Sequence, residues 1–156
     1  FGHPEWIDFP REGNGWSFHY CRRQWSLCDN AELKYQWLGE FDHDMIHLAK
    51  NSNLFAQRMA NLMLLKEPEK MIAFYRKGLL FVFNFHPYQS LTNVLVPVPN
   101  KADYTVEFTS DDWKYGGQGM IAHMTYPVKE FDGQTFIELY IPARTAMVLK
   151  EGKIIE

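Results

Sequence analysis

The sequence predicts a mainly β chain, an antiparallel sandwich preceded by a short region of loop and helix. Three observations carry this. The spacing of apolar residues changes near residue 56, from the three-and-four steps of a helix to alternation at every second position. Beyond that point turn-forming residues recur every ten or so positions. About seven short strand-like runs then fit into about 95 residues, the density of a two-sheet sandwich.

The helix is expected over Asn30 to Lys50, where Leu33, Trp37, Phe41, Met45 and Leu48 form one apolar stripe. Asp29, with Glu32 three residues on, is the expected cap. Met59 to Leu65 and Met71 to Lys77 flank the polar, proline-containing run Lys66-Glu67-Pro68-Glu69-Lys70 and read as a hairpin. Leu79 to Phe85 is apolar on both faces, so it is expected at the centre of a sheet. Tyr104, Val106 and Phe108 alternate with Thr105, Glu107 and Thr109, the pattern of a strand with one face in water. Phe136 to Ile141 and Thr145 to Lys150 complete the series, with Pro142 and Ala143 at the bend between them. The division is therefore expected at 1–56 for loop and helix and 57–156 for the all-β domain.

Composition narrows the function. Sixteen Lys plus Arg against nineteen Asp plus Glu give a formal charge of only -3, mixed along the chain, which argues against nucleic acid or an anionic membrane as partner. The longest apolar stretch, Gly78 to Phe85, is far short of the ~20 residues that span a bilayer, and the start has no basic-then-apolar signal. A soluble, cytoplasmic protein is expected. Phe1 in place of Met, followed directly by Gly2-His3-Pro4-Glu5-Trp6, reads as the interior of a longer polypeptide. Cys21 and Cys28 match neither a zinc ribbon nor a redox pair, and Cys21 is expected to pack as a small apolar residue.

Several residues invite a chemical reading and are better explained otherwise. His43 and His47 stand four apart on the expected helix and imitate a H-E-x-x-H zinc site, but Asp44 is a methylene shorter than the glutamate base, and no third ligand is signalled nearby. Asp111 and Asp112, just before Trp113 and Gly116-Gly117, read as turn acids. Of the twenty-five aromatic residues, Phe81, Phe83 and Phe85 on one strand face and Phe136 with Tyr140 on another are assigned to the core. Tyr88, Trp113 and Tyr115, at strand ends, are the expected exposed platforms.

Phe1-Gly2-His3-Pro4-Glu5-Trp6-Ile7-Asp8-Phe9-Pro10-Arg11 and Trp16-Ser17-Phe18-His19-Tyr20-Cys21-Arg22-Arg23-Gln24-Trp25 resemble the segment that follows the last barrel strand in glycogen (1,4-α-glucan) branching enzymes. Met71-Ile72-Ala73-Phe74, Gly78 to Pro87, Lys114-Tyr115-Gly116-Gly117 and Tyr140-Ile141-Pro142-Ala143-Arg144 are similar to the same family's C-terminal β-domain. The likeness is weak over 51–69 and 120–134, and Cys21 stands where the family more often has alanine.

The resemblance implies a C-terminal portion: a sandwich like the C-terminal domain of α-amylases, preceded by a helical remnant of the last unit of a (β/α)8 barrel. The implied enzyme is a retaining glycosyltransferase that moves an α-1,4-glucan segment to a 6-hydroxyl in glycogen biosynthesis, and it needs no cofactor or metal. Its nucleophile and acid/base carboxylates would lie upstream of Phe1, since barrel active sites draw on several strand ends, so no catalytic residue is assigned here and this stretch alone is expected to be inactive. Trp6, Arg11 and Trp16 are the implied substrate-binding residues, offering aromatic faces and a hydrogen-bonding cation to an α-glucan such as glycogen or amylose. Two other functions stay open on the residues alone: an autonomous carbohydrate-binding β-module, and a zinc hydrolase built on His43 and His47. The apolar stripe, if separated from barrel strands, is also expected to fold back or to form a homodimer.

Overall fold

The structure is a computed structural model that describes residues 7–21 and 25–155. The chain divides into two compact units, Phe1–Asp44 and Met45–Glu156.

The helix α1 runs Tyr35–Asn51 and so begins after the expected Asn30. Local bonds hold the intervening residues in turns: the Asn30 side-chain oxygen accepts the Glu32 N–H at 2.9 Å, and the Leu33 N–H donates to the Asn30 carbonyl at 3.0 Å. Asn and Asp side chains compete with the helix in this way, and here the competition displaces the expected cap. Of the stripe, Leu33, Trp37, Phe41 and Leu48 are half-buried and Met45 is 43% exposed. The helix stops where the Ser52 hydroxyl donates to the Leu48 carbonyl at 2.6 Å and Asn53 turns left-handed at φ 49°. No helix among the described residues is long and apolar enough to cross a membrane.

Among the described residues nine strands follow: β1 Asn61–Lys66, β2 Met71–Arg76, β3 Leu79–Asn84, β4 Leu91–Pro97, β5 Ala102–Thr109, β6 Thr125–Tyr126, β7 Lys129–Phe131, β8 Gln134–Ile141 and β9 Thr145–Ile154. They form two antiparallel sheets, ordered β1-β2-β3-β9-β5-β6 and β4-β8-β7. The expected hairpin is β1 with β2, paired from Asn61 opposite Tyr75 to Lys66 opposite Met71. β3 lies between β2 and β9, central as its two apolar faces require. β4 is a strand the sequence reading passed over: Pro97 masks it, yet it is an edge strand, where a missing N–H is tolerated.

The core lies between the sheets. Leu80 and Val82 from β3, Val94 and Val96 from β4, Tyr104 and Val106 from β5, Ile137, Leu139 and Ile141 from β8, and Met147 and Leu149 from β9 are at most 6% exposed. This corrects the assignment of Phe81, Phe83 and Phe85 to the core. They alternate with Leu80, Val82 and Asn84 and occupy the outer face, with Phe81 and Phe83 half-buried and Phe85 63% exposed. Phe136 and Tyr140 are likewise on the outer face of β8, and Tyr140 is 37% exposed. Alternation fixes which residues share a face; it does not say which face turns inward. Asn84 can take an inner position because its amide donates to the carbonyls of Gln89 at 2.9 Å and Ile141 at 3.1 Å, which satisfies a buried polar group.

One polar cluster ties β2, β5 and β9. The Glu151 carboxylate accepts the Tyr75 hydroxyl at 2.5 Å, the Asn100 amide at 2.6 Å and the Tyr104 hydroxyl at 3.3 Å. Burial, and then the bond to Glu151, push Tyr75 up to about 12. Burial raises Tyr104 as well, and the Glu151 charge adds to it.

Candidate functional site

The segment that precedes α1 is organised by Asp8. Its carboxylate accepts the Arg11 guanidinium through two parallel bonds, Nε at 3.0 Å and a terminal nitrogen at 3.1 Å, and the Asn14 amide at 3.1 Å. The Asn14 side-chain oxygen in turn accepts the Arg11 backbone N–H at 2.9 Å, closing a short 3-10 turn over Glu12–Asn14. The Arg11 bond holds Asp8 below the usual carboxylate range, while burial opposes that shift. The two-bond geometry fixes the plane of the guanidinium, yet the Arg11 side chain stays 58% exposed against 13% for Asp8. One edge remains turned to solvent. Directly after the turn, Gly15 at φ 66° and Trp16 at φ 57° are both left-handed. That backbone is unusual for a bulky residue, and it leaves Trp16 66% exposed.

Arg11 and Trp16 therefore stand on one loop, a fixed cation and an open indole ring. Trp6 and Glu5 lie outside the described residues. Among the described residues Asp8 is the acid that Arg11 pairs with. This pairing was legible in the three-residue spacing of Asp8 and Arg11.

In the β-domain, Asp111 is 4% exposed. Its carboxylate accepts the backbone N–H groups of Gln118 at 3.0 Å, Met120 at 2.5 Å and Ile121 at 3.0 Å. It folds the loop 111–121 around itself, which is the role expected of a turn acid. A carboxylate with three amides on it is not placed to act as nucleophile or proton carrier. Asp112 pairs with His123 at 3.0 Å. Trp113 is 72% exposed and Tyr88 84% exposed, as expected. Tyr115 is half-buried instead, tilted against Phe108 with ring centres 5.6 Å apart.

His43 bonds its neighbour Asp44, Nδ1 to Oδ1, at 3.0 Å. Among the described residues no group of three His, Cys, Asp or Glu side chains converges as a metal would require. Cys21 is half-buried and donates to the Phe18 carbonyl at 3.0 Å.

The sequence reading missed the outer aromatic ladder of the larger sheet. Phe74 stacks on Phe81 at 4.9 Å and on Phe83 at 5.8 Å, and Phe83 stacks on Phe85 at 5.5 Å. The signal was present in β2 and β3, two adjacent strands each apolar on both faces.

Residues 64–152 match the family described as the alpha amylase C-terminal all-beta domain. Over 153 residues the chain is 44% identical to a protein of Yarrowia lipolytica named 1,4-alpha-glucan-branching enzyme, covering 95% of this chain and 22% of that protein. Proteins of the same name from Rhizophagus irregularis and Equus caballus are each 40% identical over 154 residues, covering 96% of this chain and 22% of theirs. The chain thus spans about a fifth of the length of the curated relatives it matches.

Proposed function

The chain belongs to the alpha amylase C-terminal all-beta domain family, and from that premise we propose that it is the C-terminal portion of a 1,4-α-glucan branching enzyme. The observation that carries this is the extent of the likeness: relatives of that name align with 95% or more of the chain, well beyond the β-domain into the loop of Arg11 and Trp16. The activity is transfer of an α-1,4-glucan segment to a 6-hydroxyl with retention, by two carboxylates held ~5–5.5 Å apart on a barrel upstream of this sequence. Residues 1–56 are then the end of that barrel, and 57–156 the sandwich. The compartment is the cytoplasm.

Arg11 and Trp16, with Trp6, contact the glucan in the whole enzyme. The exposed indole offers a face for the apolar side of a glucose ring, and the solvent edge of the guanidinium offers donors to its hydroxyls. Arg11 is held by Asp8 and Trp16 by its backbone N–H on the Arg11 carbonyl at 2.9 Å, and the exposure of both supports a binding role over a packing one.

The test compares this chain with one extended upstream through the barrel, both incubated with amylose. The 156-residue chain leaves iodine staining unchanged and the extended one forms α-1,6 linkages. In the extended protein, Trp16→Ala lowers kcat/KM about tenfold with little change in Tm. Branching by the short chain, or no branching by the long one, overturns the assignment. A Tm that falls as far as the activity makes Trp16 a packing residue.

A further inference from the structure

The outer face of the smaller sheet carries a groove of about 310 Å³ lined by Asn93, Pro127, Lys129, Glu138, Leu139 and Tyr140. Glu138 and Tyr140 stand two apart on β8 and so share its outer face, while Ile137, Leu139 and Ile141 fill the inner one. Lys129 on β7 pairs with Phe136, which places it on the same outer face, and its ammonium forms an ion pair with Glu138. On β4 the ladder breaks between Leu91 and Val94, and Asn93 within the break is left-handed at φ 53°. A bulge of this kind re-aims a side chain away from the regular pleat, and Asn tolerates the left-handed conformation better than most residues. The groove therefore combines an aromatic wall, a carboxylate, an ammonium and an amide on three adjacent strands.

We infer that this groove binds a neutral oligosaccharide, an α-1,4-linked glucan chain, with one glucose ring on the face of Tyr140 and its hydroxyls on Asn93 and Glu138. Three features favour that chemistry. Lys129 and Glu138 neutralise each other, so the groove has no field to select an anion or a cation. Carboxylate and amide oxygens accept from sugar hydroxyls while the ammonium and amide N–H groups donate to them, which suits a ligand that is donor and acceptor at every position. Tyr140, 37% exposed, lines the groove with an aromatic side chain, the residue type whose ring face suits the apolar side of a pyranose. The choice of α-1,4-glucan over another neutral saccharide rests on the branching-enzyme reading.

The test is calorimetric titration of the 156-residue chain with maltoheptaose and with cellohexaose, alongside amide chemical-shift mapping. Maltoheptaose is expected to bind saturably and shift the amides around residues 93, 129, 138 and 140. Tyr140→Ala is expected to weaken binding about tenfold. Asn93→Gly removes the amide at a position whose φ suits glycine, so it is expected to weaken binding without lowering Tm, which keeps the test valid should Tyr140→Ala fold poorly. Absence of saturable binding overturns the inference. Maltoheptaose binding that neither variant weakens places the sugar elsewhere and overturns the groove, yet leaves the branching-enzyme reading standing. Cellohexaose preferred at Tyr140 overturns the α-glucan identity. The branching-enzyme reading fails separately, when the upstream-extended chain forms no α-1,6 linkages.

Discussion

Asp111 holds the loop 111–121 by accepting three backbone N–H groups from a position 4% exposed to solvent. Charge-assisted bonds of this type are stronger than neutral ones, and removing the acceptor leaves the amides without partners. Asp111→Ala is expected to lower unfolding free energy by about 3 kcal/mol in urea titration, with Asp111→Asn costing less because one amide oxygen remains. A loss within about 0.5 kcal/mol, the range of ordinary surface changes, shows that water replaces the carboxylate and that the loop is held otherwise. The same loop constrains Gly117, where an added Cβ would lie 2.2 Å from the Asp111 carbonyl carbon and oxygen. The turn role of Asp111 was legible in Asp-Asp followed by Gly-Gly. Its three partners were not, because they come from residues that have no polar pattern of their own.

At the scale of elements, β2, β5 and β9 are joined where Tyr75, Tyr104 and Asn100 meet Glu151. Tyr75 is raised from 10.0 to about 12 by burial and by its bond to the carboxylate. The unfolded chain therefore loses the Tyr75 proton first as pH rises. The stabilisation is whole below pH 10.0 and disappears as pH climbs through about 12. Urea midpoints measured from about pH 9 to about pH 12 should fall, and in Tyr75→Phe the alkaline part of that fall should shrink. Equal slopes in both proteins would mean that the hydroxyl does not couple these strands.

At the scale of the molecule, the apolar stripe of α1 is only partly covered, with Trp37, Phe41 and Leu48 half-buried and Met45 43% exposed. Full burial of a side chain already about half covered gains roughly half of the ~1.5–3 kcal/mol of a fully exposed one, so a second copy of the chain is a favourable cover, and a homodimer through this stripe is our proposal for the isolated chain. Sedimentation over a range of concentrations is expected to show association that weakens in Trp37→Glu and Phe41→Glu. A strict monomer in which both substitutions lower Tm shows the stripe to be covered within the chain, and the dimer is then abandoned.

The sequence by itself determined the mainly β class, the β1–β2 hairpin, the central place of β3, the helical stripe and the likeness to branching enzymes. These depend on local spacing, turn chemistry and residue identity, all of which are written along the chain. Tertiary structure decided the rest. Leu80 and Val82 turned inward and Phe81 and Phe83 outward because the inner face had to match Val96, Ile137 and Leu139 of the second sheet, a condition no single strand contains. The groove of Asn93, Lys129, Glu138 and Tyr140 likewise exists only once β4, β7 and β8 lie side by side. Periodicity is a property of one segment, whereas a face becomes inside or outside, and scattered polar residues become a site, only through pairing with segments far along the chain.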